Sequence, residues 1–88
     1  MAEDLERETT ELLQRLVRFN TVNPPGDERP AIEFLAAYLR EAGFATELLA
    51  ADDDRPNLVA DLAADDGGDG PTLCLLGHVD TVLADPAD

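Results

Sequence analysis

Lysine is missing from this chain: all six basic residues are arginine, against twenty acidic ones, for a formal net charge of −14. A surface so poor in cations is ill suited to phosphate, which argues against nucleic acids or anionic membranes as partners. There is a single cysteine, Cys74, so no internal disulfide can form. No apolar run approaches the roughly 20 residues that a bilayer requires. After Met1 the chain opens on an acidic stretch, not a basic region followed by an apolar one, which predicts no secretory signal and a cytoplasmic location. Histidine also occurs once, at His78, so any imidazole chemistry in these 88 residues rests on one side chain. That length makes at most one small domain.

Two acidic clusters, Asp52-Asp53-Asp54 and Asp65-Asp66-Gly67-Gly68-Asp69-Gly70, invite a calcium reading. They lack the alternating ligands, central glycine and distal glutamate of a calcium-binding loop, so they read as solvated turns. A first helix is predicted over 4–19, with Leu5, Thr9, Leu12, Leu13 and Leu16 on one stripe and Glu11 placed to pair with Arg15. Asn23-Pro24-Pro25-Gly26 then breaks the helix, because proline lacks the amide donor and restrains its predecessor. The stretch from Asn20 to Gly26 reads mainly as a rigid connector. A second helix should begin at Asp27 or Glu28, capped by Asp27 and tolerating Pro30 in its first turn. Ile32, Leu35, Leu39 and Ala42 form its apolar side. Gly43 is placed as a left-handed terminator, with Phe44 folding back on the last turn. Two short strands follow, over 44–50 and 57–62, with Leu58, Ala60 and Leu62 on the better-buried face. The connection between them is too short for a crossover helix, so they should pair antiparallel within a mixed sheet.

The run Leu73-Cys74-Leu75-Leu76 has no polar residue on either face and reads as a strand buried on both sides, with Cys74 a small apolar filler. Gly77, His78 and Asp80 follow directly. The carboxyl end of such a strand is where open α/β sheets place their ligands. In an extended chain His78 and Asp80 project to one side. The carboxylate could then hold the ring nitrogen that a metal does not use. Read from these residues alone, an ordinary strand-end histidine remains open beside a metal ligand.

The stretch Leu75-Leu76-Gly77-His78-Val79-Asp80-Thr81-Val82 resembles the first metal motif of the co-catalytic zinc metallopeptidases related to acetylornithine deacetylase, succinyl-diaminopimelate desuccinylase, aminoacylase and carboxypeptidase G. Upstream, Arg18-Phe19-Asn20-Thr21-Val22-Asn23-Pro24-Pro25-Gly26 resembles the loop that follows that family's first helix. The order of helices and strands is similar too. The resemblance implies an α/β fold: residues 1–88 as the amino-terminal portion of a three-layer α/β/α catalytic domain with a mixed sheet, the second domain absent. It implies His78 as a metal ligand and Asp80 as the active-site carboxylate that orients it. Two zinc ions, or cobalt, would serve amide hydrolysis of N-acyl amino acids or small peptides, in a parent that can be a homodimer. The family's bridging aspartate, glutamate pair, further carboxylate and second histidine are not matched before Asp88, so these 88 residues alone are expected to be inactive. The rival expectation is a small acidic binding or interaction protein without catalysis, complete at this length.

Overall fold

The computed structural model describes residues 2–63 and 70–83. The acidic cluster over 65–69 and the polar stretch 84–88 lie outside the described residues. In chain order the elements are α1 (Ala2–Val17), α2 (Arg29–Glu41), β1 (Ala45–Leu49) and β2 (Asn57–Asp61).

Helix α2 and the β1–β2 hairpin form the core. Proline in the first turn suits the start of α2, where its missing donor costs nothing. The expected Asp27 cap is replaced. Glu28 occupies the cap position without a side-chain cap bond, and the carbonyl of Asp54 accepts from the amides of Glu28 and Arg29 at 3.0 and 3.1 Å. The first free donors of the helix are thus satisfied by a turn that comes later in the chain. At the other end Gly43 adopts φ +100°. Its amide donates to Arg40 O at 3.0 Å and that of Phe44 to Leu39 O at 2.9 Å, the two bonds of a Schellman closure.

Strands β1 and β2 pair antiparallel, with Thr46 opposite Ala60 and Leu48 opposite Leu58. These four are the half-buried face, and α2 packs on the hairpin with Ala31, Ile32 and Ala36 buried. Small residues at 31 and 36 let the helix approach closely. Leu35 and Leu39 are half-buried, Ala42 is exposed, and Leu62, just past β2, is exposed as well.

The stripe expected on α1 is only partly covered: Leu12 and Leu16 are half-buried, while Leu5 and Leu13 are exposed. The helix meets α2 through aromatic and polar contacts. The Phe19 ring lies 5.7 Å from that of Phe34, and Tyr38 Oη donates to Glu8 Oε1 at 2.7 Å. Hydrogen bonding to that carboxylate raises the Tyr38 phenol above its ordinary range. Arg15, expected to pair with Glu11, instead sits over the Phe34 ring, 4.3 Å from its centroid.

The strand expected at Leu73–Leu76 is not formed. Leu73, Leu75 and Leu76 are 83%, 87% and 98% exposed, and Cys74 is exposed with them. The physical reason is the lack of neighbours: among the described residues the sheet is the β1–β2 pair, and this segment hydrogen-bonds to neither strand. The expected mixed sheet is reduced to an antiparallel pair plus one isolated parallel bridge, Val22 to Thr81. Three layers are likewise not seen among the described residues, since α1 lies against α2 and leaves the second face of the hairpin uncovered. No helix among the described residues is long and apolar enough to cross a membrane.

Candidate functional site

The loop after α1 does more than connect helices. Thr21, only 4% exposed, donates its hydroxyl to Val79 O at 2.7 Å. Around it, Thr81 N donates to Thr21 O at 3.0 Å and Asn23 N to Thr81 O at 2.8 Å. These three bonds fasten Val79–Thr81 alongside the loop. The loop itself closes through Gly26 N to Val22 O at 2.8 Å, with Gly26 at φ +78°, a conformation that side chains resist.

Fastening this segment fixes the two residues on which the sequence motif turns. His78 and Asp80 do project to one side. Asp80 Oδ1 lies 2.8 Å from His78 Nδ1, and the Asp80 carbonyl lies 3.1 Å from the same nitrogen. An ionised carboxylate only accepts, so Nδ1 carries the proton in this arrangement. With the proton on Nδ1, Nε2 is the nitrogen turned away from the carboxylate, on a side chain that is 82% exposed.

Three further residues complete the surroundings: Asn23 from the upstream loop motif, and Arg55 and Glu28 from outside both motifs. Asn23 Nδ2 donates to Asp80 Oδ2 at 3.3 Å. The Arg55 guanidinium approaches the same oxygen at 3.6 Å, a charge contact longer than a hydrogen bond. Arg55 in turn is forked onto Glu28: Nε reaches Oε1 and Oε2 at 3.2 and 3.1 Å, and Nη2 reaches Oε1 at 3.1 Å. Glu28 is 4% exposed. The Asn23 amide, foremost, holds the Asp80 carboxyl below the usual aspartate range, with His78 and Arg55 adding to it against partial burial. Pairing with Glu28 raises Arg55 further above its already high value.

His78 and Asp80 stand on the wall of an open cleft of about 980 Å³. Asn57, Leu58 and Val59 of β2 line its other side, and Glu28 and Arg55 also border it.

With this geometry in view, comparison with known proteins is decisive. The chain is 39% identical over 72 residues to the succinyl-diaminopimelate desuccinylase of Rickettsia massiliae (strain Mtu5), which takes in 82% of this chain and 18% of that protein. The desuccinylase of Rickettsia prowazekii (strain Madrid E) is 37% identical over 75 residues, 85% of this chain and 19% of its own. This chain is a homologue of the desuccinylases. It spans about a fifth of the length of the curated relatives that it matches. No family model matches the chain. No solved structure matches it either.

The desuccinylase relatives belong to the metal-dependent family that the two sequence motifs resemble. The donor chemistry of this chain suits such a metal in part. A neutral imidazole with its far nitrogen held by a carboxylate is a well-oriented ligand. Among the described residues, however, no three His, Cys, Asp or Glu side chains gather as a metal-holding group. What this desuccinylase homologue presents is one oriented imidazole and its carboxylate partner, not a whole coordination shell.

Proposed function

We propose that this chain forms the corner of a metal-dependent amidohydrolase that supplies one metal ligand, His78 Nε2, and the carboxylate that orients it, Asp80. The observation that carries this reading is the 2.8 Å contact between Asp80 Oδ1 and His78 Nδ1, in a chain 39% identical to a desuccinylase. The contact fixes which nitrogen is protonated and aims the other outward, which is what a ligand histidine requires.

The reaction is hydrolysis of the amide of an N-acyl amino acid, with a succinyl-diaminopimelate-like compound as substrate by relationship to the named relatives. Zinc, or cobalt in its place, would polarise the amide carbonyl and lower the pKa of a water molecule when bound. Within this chain Asp80 keeps the His78 proton on Nδ1. Asn23 and Arg55 keep Asp80 ionised and fixed in orientation, and the loop around Thr21 holds the segment at constant depth beside the cleft. No three metal-holding side chains gather among the described residues, so the remaining ligands, a second metal ion and the general base would have to come from outside this corner. The complete protein would enclose this corner in a three-layer α/β/α domain and carry a second, dimer-forming domain.

A chimaera tests the proposal. Replacing the matching stretch of a Rickettsia desuccinylase with this chain should preserve hydrolysis of N-succinyl-diaminopimelate. In that chimaera Asp80→Ala should cost about 10- to 100-fold in kcat/KM, the range for a residue that orients a metal ligand. His78→Ala should cost more than Asp80→Ala. Wild-type turnover by the His78→Ala chimaera would refute the assignment.

A further inference from the structure

We infer that Glu28 and Arg55 are positioning residues of this site: buried Glu28 locks the Arg55 guanidinium, which joins Asn23 in holding Asp80 Oδ2, so that Oδ1 is left to His78. The inference rests on His78 and Asp80 forming the site proposed above, and it adds two residues that lie outside both motifs.

The geometry assigns each carboxylate oxygen of Asp80 a separate task. Oδ1 meets His78 Nδ1 at 2.8 Å, while Oδ2 meets Asn23 Nδ2 at 3.3 Å and Arg55 Nη2 at 3.6 Å. Rotation of the carboxylate would break all three contacts together. Arg55 can hold its place only if it is itself held, and three contacts of 3.1 to 3.2 Å to Glu28 do so through the Nε and Nη2 edge. That fork is an arginine property: a lysine ammonium offers a point charge without the planar pair of donors.

Burial argues in the same direction. A carboxylate as enclosed as Glu28 needs a charged partner, so Arg55 is not at liberty to swing into solvent. The neighbouring loop is shaped around the guanidinium. A Cβ on Gly26 would lie 2.6 Å from Arg55 Nε and 2.9 Å from Cζ, so the glycine both allows φ +78° and leaves room for the arginine. The connector loop, the start of α2, the β1–β2 turn and the His78 segment therefore meet around one guanidinium, that of Arg55. The Arg55 and Asp80 side chains are 38% and 31% exposed, so screening weakens their attraction. Their contact matters for orientation more than for stability.

A purely structural pair and a positioning pair differ in what they do to the His78 ring. Nitrogen-15 NMR of the imidazole, in the metal-free chain at a pH where the ring is neutral, reads the ratio of Nδ1–H to Nε2–H forms. The wild-type ring should be mainly Nδ1–H. Arg55→Gln and Glu28→Gln should each lower the ratio by about tenfold, the scale of one hydrogen bond to a charged group. Arg55→Lys should fall in between.

An unchanged ratio in Arg55→Gln with a wild-type amide spectrum would overturn the inference, and so would a wild-type ring that is mainly Nε2–H. If Arg55→Gln unfolds because Glu28 is orphaned, the double variant Glu28→Gln/Arg55→Gln removes both charges and decides. Folded with a lowered ratio, it supports positioning; folded with the wild-type ratio, or unfolded, it marks the pair as merely structural. Zinc is added only afterwards. Failure of zinc to shift Nε2 in the wild-type ring would count against the metal reading and leave the tautomer result standing.

Discussion

The α2–hairpin unit and the segment from Leu73 to Leu83 are both rich in aliphatic residues, yet they stand in opposite conditions. In the first, Ala31, Ile32 and Ala36 are buried, both helix ends are closed by backbone bonds, and each strand residue has a register partner. In the second, Leu73, Leu75, Leu76, Val82 and Leu83 are all at least 80% exposed, and the segment is held by the three bonds around Thr21 and by the contacts of Asn23 and Arg55 with Asp80. Local hydrophobicity is therefore a demand for partners and no guarantee that they are present. The chemistry-bearing residues sit where the two conditions meet: His78 and Asp80 lie between an unpaired apolar run and a well-fastened bridge.

Substitution in the two regions should make that contrast quantitative. Ile32→Ala removes a buried side chain from the α2–hairpin contact and should destabilise the chain by about 2–5 kcal/mol. Leu76→Ala, at a side chain 98% exposed, should change stability by no more than about 0.5 kcal/mol. Urea unfolding of both variants checks the pair. Equal losses would mean that Leu76 is covered in solution and that the contrast is false.

A smaller effect is expected at the seam. Thr21→Val keeps the shape of the side chain but removes the hydroxyl donated to Val79 O. The loss should be about 1 kcal/mol and local. Amide hydrogen exchange at Thr81 should quicken, while exchange within α2 stays as in the wild type. Exchange that quickens equally in both places would show one cooperative unit where two are inferred.

The smallest effect is the pH response. Asp80 is held below the ordinary aspartate range in the folded chain, foremost by Asn23. Its contribution is therefore complete above the unfolded-state value and disappears as pH falls through the depressed folded value. Carbon-13 titration should show Asp80 protonating at lower pH in the folded chain than in urea. Asn23→Ala should move the folded midpoint back up. A midpoint unmoved by that substitution would leave His78 and Arg55 as its only support.

What could be read in the residue string follows the range of each interaction. Gly43 and Phe44 announced the closure of α2 because a Schellman turn is specified within six residues. The antiparallel hairpin followed from a connection too short to cross over. His78 and Asp80 were placed on one side by their spacing of two, and the contact between them is local. Glu28 and Arg55 escaped notice because their pairing spans 27 positions, and neither residue type reports a distant partner. Asn23 reaches Asp80 across 57 positions, and its neighbours Pro24 and Pro25 drew attention to the loop as a breaker instead. The error over Leu73–Leu76 has a related origin: an apolar run specifies the kind of neighbour it wants but not whether one is at hand.

The bonds joining Thr21 to Val79 and to Thr81 link positions 58 and 60 apart, the longest separations among the site's contacts. Closing so large a loop carries an entropic penalty that the hairpin turn, completed within a few residues, avoids. Assembly should accordingly run from the middle of the chain outward, with the histidine's corner the last to set. In refolding followed by pulsed exchange, the amides of β1 and β2 should gain protection before that of Thr81, so that any competence to hold a cation arrives only at the close of folding.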